Sequence, residues 1–95
     1  MKELEKLYKK YEDEYLKFDR VENKLSNRPD LHAFILLDKL FPSNMDMIAA
    51  AEHDEFYLEV EPDNLSRKAT EEQILELIRC GVMYNEYKDS LTMFS

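Results

Sequence analysis

The 95-residue chain predicts an α+β fold: an N-terminal helical hairpin followed by a small antiparallel β-sheet with one further helix, in the order α-α-β-β-α-β-β. Three observations predict it. Apolar residues recur at helical spacing over residues 2–26, and a nearly continuous apolar segment follows Asp30. From about residue 46 the chain changes to short aromatic and β-branched runs separated by turn residues. One domain accommodates this length, with a helical subregion at 1–42 and an acidic α+β subregion at 43–95 meeting near Pro42.

In the first segment Leu4, Tyr8, Tyr11, Tyr15, Phe18 and Leu25 form a stripe, with Glu22 as a polar interruption and Leu7 and Val21 widening it. Glu5 with Lys9 and Asp13 with Lys17 stand at i, i+4 on the opposite face. A helix over residues 2–26 is therefore expected. It ends at Ser26-Asn27-Arg28-Pro29, because the residue before a proline is pushed out of the α region. Asp30 can cap a second helix, LHAFILLDKLF, whose polar surface is confined to His32, Asp38 and Lys39 and which Pro42 stops.

Phe56-Tyr57-Leu58-Glu59-Val60 reads as a strand that ends in a turn at Glu61-Pro62-Asp63. The preceding Met47-Ile48-Ala49-Ala50-Ala51 is ambiguous. Alanine favours a helix, whereas apolar runs on both sides of His53-Asp54 suit a hairpin, and the balance leans toward a strand. Thr70-Glu71-Glu72-Gln73 is a capping box opening a helix whose buried face is Ile74, Leu75, Leu77 and Ile78. Gly81, the single glycine, falls where a helix C-terminus takes a left-handed residue. Val82-Met83-Tyr84 and Leu91-Thr92-Met93-Phe94 then flank Asn85 to Ser90 as a closing hairpin.

The formal net charge of -8 argues against direct binding to a nucleic-acid backbone, which needs clustered Lys and Arg. Residues 1–28 hold eight basic against seven acidic side chains, and residues 29–95 hold five against fourteen, so the acidity belongs to the second part. A lone Cys80 excludes an intramolecular disulfide and fits a reducing compartment. The charged N-terminus lacks the apolar core of a signal peptide, and no apolar stretch approaches membrane-spanning length. A soluble, cytoplasmic protein without a membrane partner is expected.

Residues 46–63 concentrate the chemistry: Asp46, Glu52, Asp54, Glu55, Glu59, Glu61 and Asp63 with His53, and no lysine or arginine. The middle of this run carries metal-ligand types, yet neighbours on a strand point to opposite faces and no HExxH or DxDxDG spacing is present. A structural turn is the plain reading, a protein-contact patch the second, and a metal or acid-base site the third. As a charged face the run maintains solubility, or it competes electrostatically for a positive groove, mimicry of nucleic acid included. Tyr8, Tyr11, Tyr15 and Phe18 read first as packing residues and second as an exposed recognition stripe. Cys80, at a helix C-terminus, is placed against thiolate formation. No metal, cofactor or catalytic residue is assigned.

At AEHDEFYLEV (51–60) and ATEEQILELIRCGVMYNEYKDSLTMF (69–94) the chain resembles a group of small phage and prophage proteins of unknown function, over residues 29–95. The first helix looks like a variable attachment to that unit. The resemblance implies an accessory gene product acting inside an infected bacterium, on host defence or regulation, and carries no residue roles.

The leading expectation is thus a non-enzymatic interaction protein that engages a host protein through its acidic part, its aromatic helix face, or both. A homo-oligomeric scaffold assembled through the N-terminal helix is the alternative. An enzyme or ligand binder around His53, Asp54 and Cys80 ranks third.

Overall fold

A computed structural model describes residues 2–22, 24–52, 55–85 and 90–94. Its described elements are α1 (Lys2–Lys10), α2 (Pro29–Leu40), β1 (Ile48–Glu52), β2 (Glu55–Leu58), α3 (Pro62–Lys68), α4 (Glu71–Arg79), β3 (Met83–Asn85) and β4 (Ser90–Phe94). The strands form one antiparallel sheet in the order β1-β2-β4-β3. The α+β class and the helices-before-sheet order are as the sequence predicts. Residues 48–52 are a strand, which resolves the alanine-rich segment: Ala50 pairs with Tyr57 and Ala51 with Phe56. Pairing with β2 along one side decides against the helical preference of alanine. The turn at His53-Asp54 and most of the closing turn lie outside the described residues.

The N-terminal segment departs from expectation. The helix stops at Lys10, and residues 12–14 and 18–20 form separate 3-10 turns in place of one helix to residue 26. Tertiary bonds replace the helical ladder. The Leu16 N–H donates to the Ile78 carbonyl at 3.2 Å, and Arg79 bonds the carbonyl of Arg20 at 3.3 Å and the carboxylate of Glu14 at 2.9 Å. Tyrosine, phenylalanine and aspartate are only moderate helix formers, so the local preference is easily overridden. Glu5 and Lys9 still approach to 3.8 Å, whereas Asp13 and Lys17 no longer share a helical face. The stripe of residues 4–25 is not one continuous helical seam: Leu4 is buried, and Leu7, Tyr8, Tyr11, Tyr15 and Phe18 pack on the chain's own core.

Two prolines change role. Pro29 begins α2 at its first turn, with Arg28 and not Asp30 as the N-cap, and Pro62 begins α3 where only a turn was expected. A fixed φ and a missing N–H suit both positions. An extra helix, α3, therefore precedes α4.

The core gathers Ala33, Leu36, Leu37 and Leu40 of α2, Leu65 of α3, Ile74, Leu77 and Ile78 of α4, and Leu58, Leu91 and Met93 of the sheet. By strand alternation Phe56, Met93 and Ala51 share one row, and Phe34 of α2 meets Phe56 edge-on at 6.2 Å. The next row, Ala50, Tyr57, Thr92 and Met83, belongs to the opposite face.

Both local signals at the ends of α4 form as expected. Thr70 and Gln73 exchange side-chain-to-backbone bonds of 3.2 and 2.9 Å, closing the capping box. At the other end Gly81 adopts φ +96°, with its N–H on Ile78 and that of Val82 on Leu77, the two bonds of a Schellman motif. A Cβ on Gly81 would stand 2.7 Å from Leu16 Cδ2, and Leu16 is itself held at φ +62° while 60% exposed. Gly81→Ala is expected to cost about 1–3 kcal/mol from the left-handed backbone and this contact. The cost should fall in a Leu16→Gly background, measured by urea unfolding of the four proteins. Equal costs in both backgrounds would assign the effect to the backbone alone.

Candidate interaction surface

Among the described residues, some carboxylates are paired within the fold, and those singled out from the sequence lie mostly at the surface. Glu71 of α4 accepts from the Tyr11 hydroxyl and from Lys10 at 3.0 Å, which hold its carboxyl below the usual range, and the bond to Glu71 raises the Tyr11 phenol above its own. Glu14 binds Arg79 and Arg20, and the Arg79 hydrogen bond lowers its carboxyl. Glu76 meets His32 Nε2 at 3.1 Å. These side chains tie the N-terminal segment and α2 to α4.

His32, expected on the polar surface of its helix, is instead fully buried. The Leu25 N–H donates to its Nδ1 at 3.0 Å, so Nε2 carries the proton directed at Glu76. Spacing along the sequence offered no sign of this arrangement, since His32 and Glu76 are 44 residues apart.

The candidate carboxylates from residues 46–63 lie mostly at the surface. Asp46 precedes β1 and is exposed; Glu59 and Glu61 follow β2 and are exposed; Asp63 lies exposed in the first turn of α3, where the helix dipole favours an acid. Glu55 begins β2, half-buried and paired with Glu52 and Phe94 in the sheet register. His53 and Asp54 fall outside the described residues. Among the described residues, no group of three or more His, Cys, Asp or Glu side chains is placed to hold a metal ion.

Glu59 and Glu61 line a cleft of about 350 Å³ with Ala49 of β1, Phe41, Leu58, Val60, Pro62, Asn64 and Ser90. The cleft exists because the Glu59 N–H bonds the Met47 carbonyl at 2.7 Å, holding the start of β1 against the end of β2, while Pro62 turns the chain into α3. Among the described residues neither carboxylate has an ion-pair partner. The Phe41 ring at its wall carries the Lys68 ammonium 5.3 Å from its centroid, so the ring already accepts a cation.

The aromatic stripe faces inward. Tyr8, Tyr11, Tyr15 and Phe18 are half-buried, with Tyr8 against Tyr84 at 6.1 Å and Phe18 against His32 at 5.7 Å. The Tyr8 hydroxyl is buried with no hydrogen-bond partner among the described residues, and burial pushes its phenol up. Tyr8→Phe is expected to leave the fold unchanged and raise stability by about 1 kcal/mol, by removing an unsatisfied buried hydroxyl. A loss of stability in urea unfolding would show that the hydroxyl is satisfied in solution.

A wider apolar hollow of about 530 Å³ lies between α2 and the sheet, lined by Tyr15, Leu16, Pro29, Asp30, Phe56, Cys80, Gly81 and Met93. Its thiol is not activated. Burial, with the charge of Glu76 adding to it, pushes Cys80 up to about 12. No helix among the described residues is long and apolar enough to cross a membrane. No protein-family model matches the chain, and neither a curated protein nor a solved structure matches it.

Proposed function

We propose that this is a non-enzymatic acidic interaction protein that binds a host protein with a positively charged surface and modulates it, in keeping with the resemblance to small phage proteins. The observation carrying this reading is the separation of its carboxylates: Glu14, Glu71 and Glu76 are engaged within the fold, whereas Glu59 and Glu61 face an open cleft and have no ion-pair partner among the described residues. Exposed Asp46 extends the charge on the N-terminal side of that cleft in sequence. Such a field speeds encounter with a basic partner and selects against acidic ones.

Affinity capture from a bacterial lysate tests it, using the intact protein and the Asp46→Asn, Glu59→Gln, Glu61→Gln triple variant at low and high salt. A partner held by the intact protein at low salt, released at high salt and lost by the variant is expected. Retention indifferent to both salt and substitution would overturn the electrostatic reading. The variant's unfolding midpoint should match that of the parent, because these side chains are exposed.

A further inference from the structure

The order β1-β2-β4-β3 leaves two sheet edges. At the β3 edge α1 packs alongside, with Tyr8 on Tyr84. The β1 edge is different: Ile48, Ala49, Ala50 and Ala51 are all exposed, and Ile48 retains 43% of its surface. An edge strand carries a row of N–H and C=O groups without strand partners, which proteins ordinarily guard with lysine, proline or a covering element. β1 has neither residue in its sequence IAAAE, and its alanine side chains are too small to screen an approaching backbone. The one irregularity is a register shift between Ile48 and Ala50, which puts Ala49 on the wall of the Glu59/Glu61 cleft.

We propose that β1 takes an extended, lysine- or arginine-containing segment of a partner protein by strand addition, with one cationic side chain seated in the cleft between Glu59 and Glu61. This rests on the acidic-interaction reading and specifies its geometry. Backbone bonds to β1 supply the pairing, and alternate side chains of the guest supply the selection. A basic guest is favoured because the cleft presents two carboxylates without an ion-pair partner among the described residues, while the Phe41 ring at its wall already carries Lys68. The run from Leu40 to Ser66 contains no lysine or arginine, and Lys68 stands on the Phe41 ring without an ion pair to either glutamate among the described residues. A second copy of the chain is disfavoured. Each copy carries a net charge of -8, and pairing β1 with its twin in antiparallel register would bring the Asp46 and Glu52 ends of the strands together.

The test is fluorescence anisotropy on the full chain with a labelled hexapeptide of alternating lysine and valine. Two analogues N-methylated at alternate residues, one in each register, serve as probes that cannot pair. Saturable binding should weaken at least tenfold with one or both analogues, and at least tenfold with the parent peptide on Glu59→Lys, Glu61→Lys. Equal binding by parent and both analogues, with loss on charge reversal, overturns strand addition and leaves the electrostatic reading intact. Indifference to charge reversal overturns both. Absence of binding by the parent peptide overturns the proposed guest. A concentration-dependent dimer in sedimentation, abolished by Ala51→Lys, would assign the edge to a second copy and overturn it likewise.

Discussion

Leu77→Ala is expected to lower the unfolding free energy by about 2–5 kcal/mol, the range for deleting a fully buried leucine side chain. Leu77 has no exposed surface and lies in the core cluster beside Ile74 and Ile78. Its carbonyl also accepts from Cys80 and Val82 at the end of α4, so relaxation into the vacated space would disturb the helix terminus. A domain of this size has about 5–15 kcal/mol in total, so this change removes a large share. The half-buried neighbour Leu75 supplies the control: Leu75→Ala should cost clearly less. Urea titrations of both variants decide it, with the midpoint falling and the slope unchanged. Equal costs at 75 and 77 would contradict the assignment of the buried face of α4.

His32→Ala should cost about 2–4 kcal/mol, combining lost packing volume with an N–H and a carboxylate that each lose their partner. The imidazole joins three parts of the chain: the Leu25 backbone at 3.0 Å, Glu76 of α4 at 3.1 Å and the Phe18 ring at 5.7 Å. Its removal should therefore loosen residues 18–25 as well as lower the midpoint. Hydrogen exchange at the Leu25 amide reads that directly. Glu76→Gln is expected to be much milder, because the amide oxygen still accepts from Nε2. A His32→Ala protein that loses less than about 1 kcal/mol and keeps the Leu25 amide protected would exclude this role.

The elements legible in the sequence are those with local determinants. Thr70 and Gln73 stand three residues apart and close a capping box wherever a helix follows; Gly81 is the residue a Schellman turn prefers. The apolar runs around Leu58 and Leu91 read as strands, and strands they are. The N-terminal segment was misleading because a 3.6-residue stripe serves equally a helix and a chain wrapping over a core. Tyr15 and Phe18 keep their inward positions after the helix has ended. Pro29 and Pro62 follow segments that end before them, yet proline is also a favoured first residue of a helix.

The candidate surface divides in the same way. That residues 46–63 are acidic and free of basic side chains is a property of composition, and it belongs to the chain in any conformation. Which carboxylates remain open was decided by long-range pairing: Glu71 meets Tyr11 across 60 positions, and Glu76 meets His32 across 44. The sequence by itself determined an α+β class, the caps of α4 and the charge imbalance, because these follow from neighbours a few residues apart. Only the tertiary structure decided that α1 stops at Lys10, that His32 is buried, and that β1 is an edge beside the Glu59/Glu61 cleft. Strand order and buried polar pairs depend on which distant segments meet, and a periodic pattern of side chains does not encode that choice.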